Sequence, residues 1–189
     1  MKTSIDKIRV VAACAALAVG GLASQAAAIS QVDLIGGVLT YRSLNGVANQ
    51  VTIAAANAAY TIDDPAETSI LLGPEAVTAG CTAFDNNTVT CPDATITSLQ
   101  VFPNDLADFV DLSKSGVPAL VDGQFGDDTI IGTPFADTFV WNPGGSSDTI
   151  DGGGGDDQLQ FNGSNANETI TIRPLGDGFE LFRDIASIH

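Results

Sequence analysis

The sequence has very little histidine, few cations and few cysteines. Of its 189 residues, 1 is His, 7 are Lys or Arg and 3 are Cys, against 23 Asp and Glu and a net charge of −16. The only histidine is the last residue, His189, so general acid–base chemistry centred on histidine is nearly excluded. A surface this acidic repels phosphate backbones and anionic lipids, so we expect no nucleic-acid partner and no polybasic membrane docking.

Catalytic signatures and membrane-spanning runs are also missing from the sequence. It contains neither the HExxH motif of zinc proteases nor the G-x-S-x-G motif of serine hydrolases. No stretch reaches the roughly 20 apolar residues that a transmembrane helix needs. These absences favour a protein that is not an enzyme and has no transmembrane segment.

The amino-terminal part of the chain has the features of a secretory signal peptide. Three cations precede an uncharged run over residues 10–22, and small residues follow at 26–28. This pattern predicts cleavage near Ala28 and a secreted, extracellular protein. Removal of residues 1–28 leaves 4 cations against 22 anions. A lipoprotein-type cut before Cys14 is the less favoured alternative, because almost no apolar run would precede it.

Cys81 and Cys91 flank a cluster of turn-forming residues, Asp85, Asn86 and Asn87. A hairpin that turns at this cluster would place the two cysteines opposite each other on adjacent strands. In an exported protein such a pair is expected to form a disulfide, with two free thiols as the alternative. We expect a structural role for it, worth about 2.5–3 kcal/mol in the chain-entropy model.

From residue 101 onward the sequence repeats itself every 20 residues. Carboxylates recur in two columns, which are Asp108, Asp128, Asp148 and Glu168, and Asp137, Asp157 and Asp177. Two residues after each carboxylate comes an apolar residue: Val110, Ile130, Ile150 and Ile170 in one column, and Phe139, Leu159 and Phe179 in the other. A third apolar row contains Val101, Val121, Trp141, Phe161 and Leu181. A flexible linker would not keep this order, so we predict coils whose apolar residues, the aromatic ones included, stack into a core.

Stacked coils would also bring carboxylates from successive turns within one strand spacing, about 4.8 Å. At that distance two carboxylates repel by roughly 4 kcal/mol at a surface-like effective dielectric, so a counter-charge is needed. The turns offer glycines, backbone carbonyls and carboxylates, without His or Cys. Oxygen ligands on flexible loops fit calcium, fit magnesium less well and do not fit zinc or copper.

Two turn segments, residues 123–131 (GQFGDDTII) and 152–160 (GGGGDDQLQ), resemble the nonapeptide of the hemolysin-type, or repeats-in-toxin (RTX), calcium-binding family. Residues 132–140 and 143–150 match it in part, and residues 163–171 match it weakly. The resemblance implies an all-β fold with a parallel β-roll, an RTX-type solenoid, preceded by a small β-rich amino-terminal cap.

The resemblance also implies that calcium is held between turns two repeats apart. It pairs Asp128 with Asp148 at one edge and Asp137 with Asp157 at the other, with a third site at Asp148 and Glu168. The implied metal-binding residues are Gly123, Gly126, Asp128, Asp137, Asp148, Gly152, Gly153, Gly155, Asp157 and Glu168. Asp108 and Asp177 keep the register but lack the glycines, so they are not expected to bind the ion.

Residues 29–100 have the pattern of β-structure. Short β-branched runs separated by turn residues lie at 38–41, 51–53, 60–62, 69–72, 88–90 and 95–97, and residues 54–59 are compatible with a helical turn. We interpret this region as a cap that starts the solenoid over residues 101–189, with a separate binding module as the alternative.

Taken together, these features predict a secreted, non-enzymatic calcium-binding protein of structural or adhesive type, with an unidentified cell-surface or extracellular-matrix partner. Calcium would drive folding outside the cell. The alternative is an accessory calcium-binding fragment of an extracellular enzyme or toxin.

Overall fold

The computed structural model describes residues 7–12, 29–44, 46–144, 147–176 and 178–185 of the chain. These residues are mostly β-strand, and the helical elements among them are a five-residue α-helix, Pro74–Thr78 (α1), and a 3-10 turn, Asp93–Thr95. The all-β fold predicted from the sequence is therefore confirmed.

The described strands form one ten-stranded and one seven-stranded sheet. In chain order they are β1 Lys7–Ala12, β2 Ile29–Ile35, β3 Val38–Ser43, β4 Gln50–Ala56, β5 Ala59–Asp63, β6 Ser69–Leu72, β7 Thr82–Ala83, β8 Thr88–Pro92, β9 Ser98–Phe102, β10 Phe109–Asp111, β11 Ala119–Asp122, β12 Thr129–Ile131, β13 Thr138–Trp141, β14 Asp148–Asp151, β15 Gln158–Phe161, β16 Glu168–Leu175 and β17 Gly178–Ile185.

Between β9 and β15 the chain alternates between the two sheets. The odd-numbered strands β9 to β15 are parallel neighbours in the seven-stranded sheet, and β10, β12 and β14 are parallel neighbours in the other. The register pairs Val110 with Ile130 and Ile130 with Ile150, which lie 20 residues apart. All three side chains are buried, so the 20-residue repeat stacks equivalent apolar residues as predicted.

One turn of the chain is shorter than the sequence repeat suggested. We predicted that Val121 aligns with Trp141, but Val121 pairs with Phe139, and Trp141 pairs with Phe161. The prediction was wrong here because residues 123–131 and 132–140 are consecutive nine-residue segments with no insertion. The chain therefore returns to the seven-stranded sheet after 18 residues at this step, and after 20 at the steps on either side.

The amino-terminal strands continue both sheets. The hairpins β2–β3 and β4–β5 are antiparallel, and β3 and β4 pair in parallel with β9 and β10 respectively. Residue 100, at which we divided the amino-terminal region from the repeats, lies inside β9. The first repeat strands are thus built directly on strands of the amino-terminal region.

Local details of the amino-terminal region differ from the prediction. Residues 54–59 are not helical but form the end of a hairpin, because Asn57 and Ala58 adopt the positive φ values of 52° and 61° that a tight hairpin turn requires. Residues 95–97 are not a strand, since Thr95 ends the 3-10 turn and β9 begins at Ser98. Helix α1 was not predicted.

The predicted disulfide is present between Cys81 and Cys91, with an S–S distance of 2.04 Å. Strands β7 and β8 are antiparallel and pair Thr82 with Thr90 across the predicted turn. Both cysteines are buried in the core, which fits a structural role.

The carboxyl-terminal residues leave the alternating pattern after β15. Strands β16 and β17 form an antiparallel hairpin instead of a further coil. Ile170, which we predicted to point inward, is 46% exposed on this hairpin, whereas Leu181 of the third row is buried. The structural repeat therefore ends at β15, one 20-residue coil before the columns in the sequence end.

Strand β1 lies between β14 and β17, antiparallel to β14 and parallel to β17. It belongs to the predicted signal peptide; the remainder of that segment, including the cleavage position near Ala28, lies outside the described residues. Cleavage thus remains a prediction.

A continuous hydrophobic core runs through the amino-terminal region and the repeats. Trp141 is 2% exposed and stacks on Phe161, with ring centroids 4.6 Å apart. These rings pack in the core, as predicted, and do not form an exposed ligand platform. Among the described residues, no helix has the length and apolar character needed to cross a membrane.

Candidate metal centre

Three buried aspartates lie one above another at one edge of the stacked strands. The backbone N–H of Asp108 donates to Oδ1 of Asp128 at 2.9 Å, and the N–H of Asp128 donates to Oδ1 of Asp148 at 3.0 Å. Asn49 is the first member of the same series of bonds: its backbone N–H donates to Oδ1 of Asp108 at 2.7 Å. We call Asn49, Asp108, Asp128 and Asp148 the first carboxylate row.

A second carboxylate row consists of Asp137 and Asp157. It lies in the turns that join β12 to β13 and β14 to β15. The N–H of Ala119 donates to Oδ1 of Asp137 at 2.8 Å, and the N–H of Asp137 donates to Oδ1 of Asp157 at 2.9 Å. Oδ2 of Asp137 accepts a further bond from the N–H of Thr133. The structure therefore brings together both predicted pairs, Asp128 with Asp148 and Asp137 with Asp157.

The first row contains carboxylate oxygens that lack any donor. Oδ2 of Asp108 and Oδ2 of Asp128 are buried and have no hydrogen-bond partner among the described residues. The two residues are 3% and 1% exposed. A buried carboxylate oxygen without a donor is costly unless a proton or a cation is bound to it.

The acid groups of the first row are strongly perturbed. Burial raises the pKa of Asp128 to about 6 and that of Asp148 to about 7, with further contributions from Asp127 and Asp122. Burial, together with the charge of Asp128, raises the pKa of Asp108 to about 8. Burial also raises the pKa of Asp137 in the second row. Near neutral pH Asp108, Asp128 and Asp148 therefore either bind a proton or carry a buried negative charge that no cation in the described part of the chain balances.

The turns that carry the rows stack with their backbones in close contact. At Gly126, where φ is +141°, an added Cβ would lie 1.5 Å from the carbonyl oxygen of Leu106 in the turn beneath. At Gly153, where φ is +80°, an added Cβ would lie 2.3 Å from the carbonyl oxygen of Thr133. Glycine is required at both positions for the turns to approach each other.

The carboxylates themselves fill the space beside other turn glycines. An added Cβ would lie 2.3 Å from Oδ2 of Asp128 at Gly123 and 2.4 Å from Oδ2 of Asp157 at Gly152. At Gly132 it would lie 2.4 Å from the carbonyl oxygen of Gly152. Carboxylate and carbonyl oxygens thus converge on the glycine positions, which is the donor set that a hard cation prefers.

We expect Gly126→Ala to disrupt the stacking of these turns. The control Gly36→Ala also places alanine at positive φ, +59°, but its Cβ meets nothing within 4 Å. The control should cost about 1–2 kcal/mol from backbone strain alone. Gly126→Ala should cost at least twice as much, measured by urea denaturation in calcium. Equal losses for the two variants would contradict the close stacking of the turns.

Glu168 differs from the aspartates of the two rows because a cation of the chain already neutralises it. Its Oε1 accepts bonds from Nε of Arg183 at 2.9 Å and from Nη2 of the same residue at 2.5 Å. These bonds and those from Ser164 lower the pKa of Glu168 to about 2. Gly163 lies beside its Oε2, as the other turn glycines lie beside their carboxylates. An arginine thus contacts the carboxylate that we assigned to a third ion.

Sequence reasoning missed two members of the first row. Asp108 was set aside because its turn lacks glycines, yet the 20-residue spacing alone would have placed it beneath Asp128. Asn49 lies 59 residues before Asp108, and nothing in the repeat points to it. A further ladder, in which Asn142 bonds to Asp122 and Asn162 bonds to Asn142, has the same 20-residue spacing and was also missed.

No group of three or more His, Cys, Asp or Glu side chains in the described ranges is arranged to hold a metal ion. A site built from one or two carboxylates and several carbonyls would not contain such a group. No protein-family model matches the chain, and no curated protein or solved structure is significantly similar to it.

Proposed function

We propose that this protein is an exported, non-enzymatic calcium-binding protein in which the stacked Gly/Asp turns of a β-roll bind Ca²⁺. The bound ions would stabilise the fold outside the cell. The observation that carries the proposal is the first carboxylate row, where buried Oδ2 atoms of Asp108 and Asp128 lack a donor among the described residues.

The arrangement of both rows supports a hard divalent cation. Asp108, Asp128 and Asp148 would supply carboxylates at one edge, and Asp137 and Asp157 at the other, with turn carbonyls completing the oxygen shell. Calcium accepts 6–8 oxygen ligands in variable geometry and has no need of nitrogen or sulfur. The ion would supply the positive charge that these carboxylates lack.

The resemblance of residues 123–131 and 152–160 to the RTX nonapeptide supports the same conclusion. Parallel strands that alternate between two sheets at steps of 18 or 20 residues are the arrangement that a β-roll would give. The best matches to the nonapeptide are the turns whose glycines contact Asp128 and Asp157.

A role for these acids in calcium binding is favoured over a role in catalysis. Asp127 and Asp128 are adjacent, and each accepts a backbone N–H, from Ser147 and Asp108 respectively. Glycosidase carboxylates instead face each other across a substrate cleft. The adjacent acids are built into the turn and do not line such a cleft together.

Calcium would then act as a folding switch. At the low calcium level of a cytosol the rows would stay uncompensated. Extracellular calcium-binding modules have dissociation constants of about 10⁻⁴–10⁻³ M, so sites of this class fill after export. An ion that binds only the folded chain adds to its stability by linkage.

The test is a comparison of far-UV circular dichroism and thermal melting in chelator and in about 5 mM CaCl₂, which is expected to stabilise by about 1–2 kcal/mol per site. For a chain of this size each kcal/mol raises the melting temperature by about 2–4 °C. MgCl₂ at the same concentration is the control and should have a much smaller effect. Identical melting curves in chelator and calcium would overturn the proposal.

A further inference from the structure

A second group of buried acids lies outside the repeats, at the base of the β4–β5 hairpin. Asn49 immediately precedes β4, Asp64 immediately follows β5, and Glu67 lies in the connection to β6. The three residues are 1%, 0% and 4% exposed. Tyr41 of β3, which is fully buried, completes the cluster. We call Tyr41, Asn49, Asp64 and Glu67 the hairpin-base cluster.

Neutral donors surround most oxygens of this cluster. Oδ2 of Asp64 accepts bonds from the Tyr41 hydroxyl at 2.5 Å and from Nδ2 of Asn49 at 2.7 Å. Oε1 of Glu67 accepts bonds from Nδ2 of Asn49 at 3.1 Å and from the Ser30 hydroxyl at 2.5 Å. The other oxygen of Asp64 accepts backbone N–H groups.

Two buried atoms of the cluster have no partner in the described structure, and both are acceptors. They are Oε2 of Glu67 and Oδ1 of Asn49. Nδ2 of Asn49 lies within hydrogen-bond distance of Tyr41, Asp64 and Glu67, all of which offer acceptor oxygens, so the other amide atom is the acceptor Oδ1. Because both unpartnered atoms are acceptors, the missing component is a donor or a cation.

The charge of the cluster favours a cation. Asp64 and Glu67 are two buried carboxylates, and among the described residues neither forms an ion pair. Burying an uncompensated carboxylate costs several kcal/mol even after the protein relaxes. Burial and the nearby Asp64 raise the pKa of the Tyr41 hydroxyl, so this group stays protonated and adds no charge.

We propose that the hairpin-base cluster is a site for a hard cation of calcium's class, with Oε2 of Glu67 and Oδ1 of Asn49 as ligands. Carboxylate and amide oxygens are ligands that calcium takes readily, and the cluster offers no nitrogen or sulfur ligand. Asn49, one of the two proposed ligand residues, also lines a surface cleft of about 320 Å³ together with Asp108.

This site is separate from the Gly/Asp turns but connected to them. The backbone N–H of Asn49 donates to Asp108, the first aspartate of the first carboxylate row. A cation bound to the Asn49 side chain would therefore hold in place the backbone N–H that donates to Asp108. The proposal does not depend on calcium binding in the turns, since its ligands belong to the amino-terminal strands.

The experiment counts ions bound to the full-length chain by flow dialysis with radioactive Ca²⁺. Glu67→Gln removes one charge and keeps the side-chain volume, and it should bind one ion fewer than the unmodified chain. The control Glu75→Gln, at an exposed position on α1, should bind the same number as the unmodified chain. An unchanged count in Glu67→Gln overturns the proposal.

Two further measurements keep the outcomes distinct. Crystals of the unmodified chain grown in CaCl₂ should show an anomalous-difference peak between Glu67 and Asn49, and a water without anomalous signal there would overturn the proposal even if the variant failed to fold.

If Asp128→Asn leaves the ion count unchanged while Glu67→Gln lowers it, the turns fail as calcium sites and the hairpin-base cluster stands. The reverse result would leave the turns and remove this site.

Discussion

In the absence of calcium, we expect the free energy of unfolding to fall as the pH rises from about 5 to about 8. The folded state raises the pKa of Asp128 to about 6, of Asp148 to about 7 and of Asp108 to about 8. The folded chain thus binds more protons than the unfolded chain in this range. The associated stability is fully present below about pH 4 and is lost as the pH rises through the folded-state values.

The expected size of this effect is large for a single domain. One unit of pKa shift corresponds to about 1.4 kcal/mol, so the whole shift of Asp128 is worth about 3 kcal/mol, of which about 1.4 kcal/mol is lost between pH 5 and pH 8. The groups whose charges act on the first carboxylate row are Asp64, Asp105, Asp122 and Asp127, which are all acids. Their charges therefore add to the loss of stability at high pH.

Urea denaturation in chelator at a series of pH values measures this dependence. The same series in saturating calcium should be nearly flat, since the bound cation displaces the protons from the folded-state carboxylates. Asp128→Asn should flatten the curve in chelator, and Glu75→Gln should leave it unchanged. Stability in chelator that is constant, or that rises between pH 5 and pH 8, would contradict the assigned burial of these acids.

The second large effect is expected for Asp128→Asn, which should remove most of the calcium response of the first carboxylate row. Asparagine keeps the Oδ1 that accepts the N–H of Asp108. It replaces the unpartnered Oδ2 by an amide that cannot bind a cation. With a dissociation constant near 10⁻⁴ M, a filled site is worth about 2 kcal/mol in about 5 mM calcium, and that increment should disappear.

In chelator the same substitution should be nearly neutral or stabilising. It removes the buried charge but leaves a buried amide without an acceptor, which costs about 1–3 kcal/mol. The matched control is Asp111→Asn, an acid whose Oδ1 accepts the N–H of Ser113 and which is not among the acids whose charges act on the first carboxylate row. Thermal melting of Asp111→Asn should keep the full calcium increment. An undiminished calcium increment in Asp128→Asn would exclude this residue as a ligand.

The periodic part of the fold was predictable because residues that repeat in the sequence also occupy equivalent positions in the structure. Equivalent inward positions such as Val110, Ile130 and Ile150 recur at the distance at which the chain returns to the same sheet. The 18-residue step at Phe139 was missed because the aromatic residues at 139 and 141 both face the core, so either one satisfies the apolar pattern. The backbone register depends on the number of residues in each turn, and the spacing of apolar residues does not reveal that number.

The sites were predictable only where the turn chemistry is local. Gly123 and Asp128 lie five positions apart in one turn, so their contact can be inferred from a motif. Asn49 and Asp108 are joined by the pairing of β4 with β10, which no short motif encodes. The hairpin-base cluster depends on the same long-range packing, because Tyr41, Asp64 and Glu67 come together only when three separate strands meet.

The bonds of the first carboxylate row all point the same way along the chain. Each aspartate is held by the backbone N–H of a residue that precedes it in sequence, beginning with Asn49. A chain that leaves the cell amino end first would present every donor before the carboxylate that needs it. Order of emergence would then match order of assembly, with each finished coil acting as the template for the next.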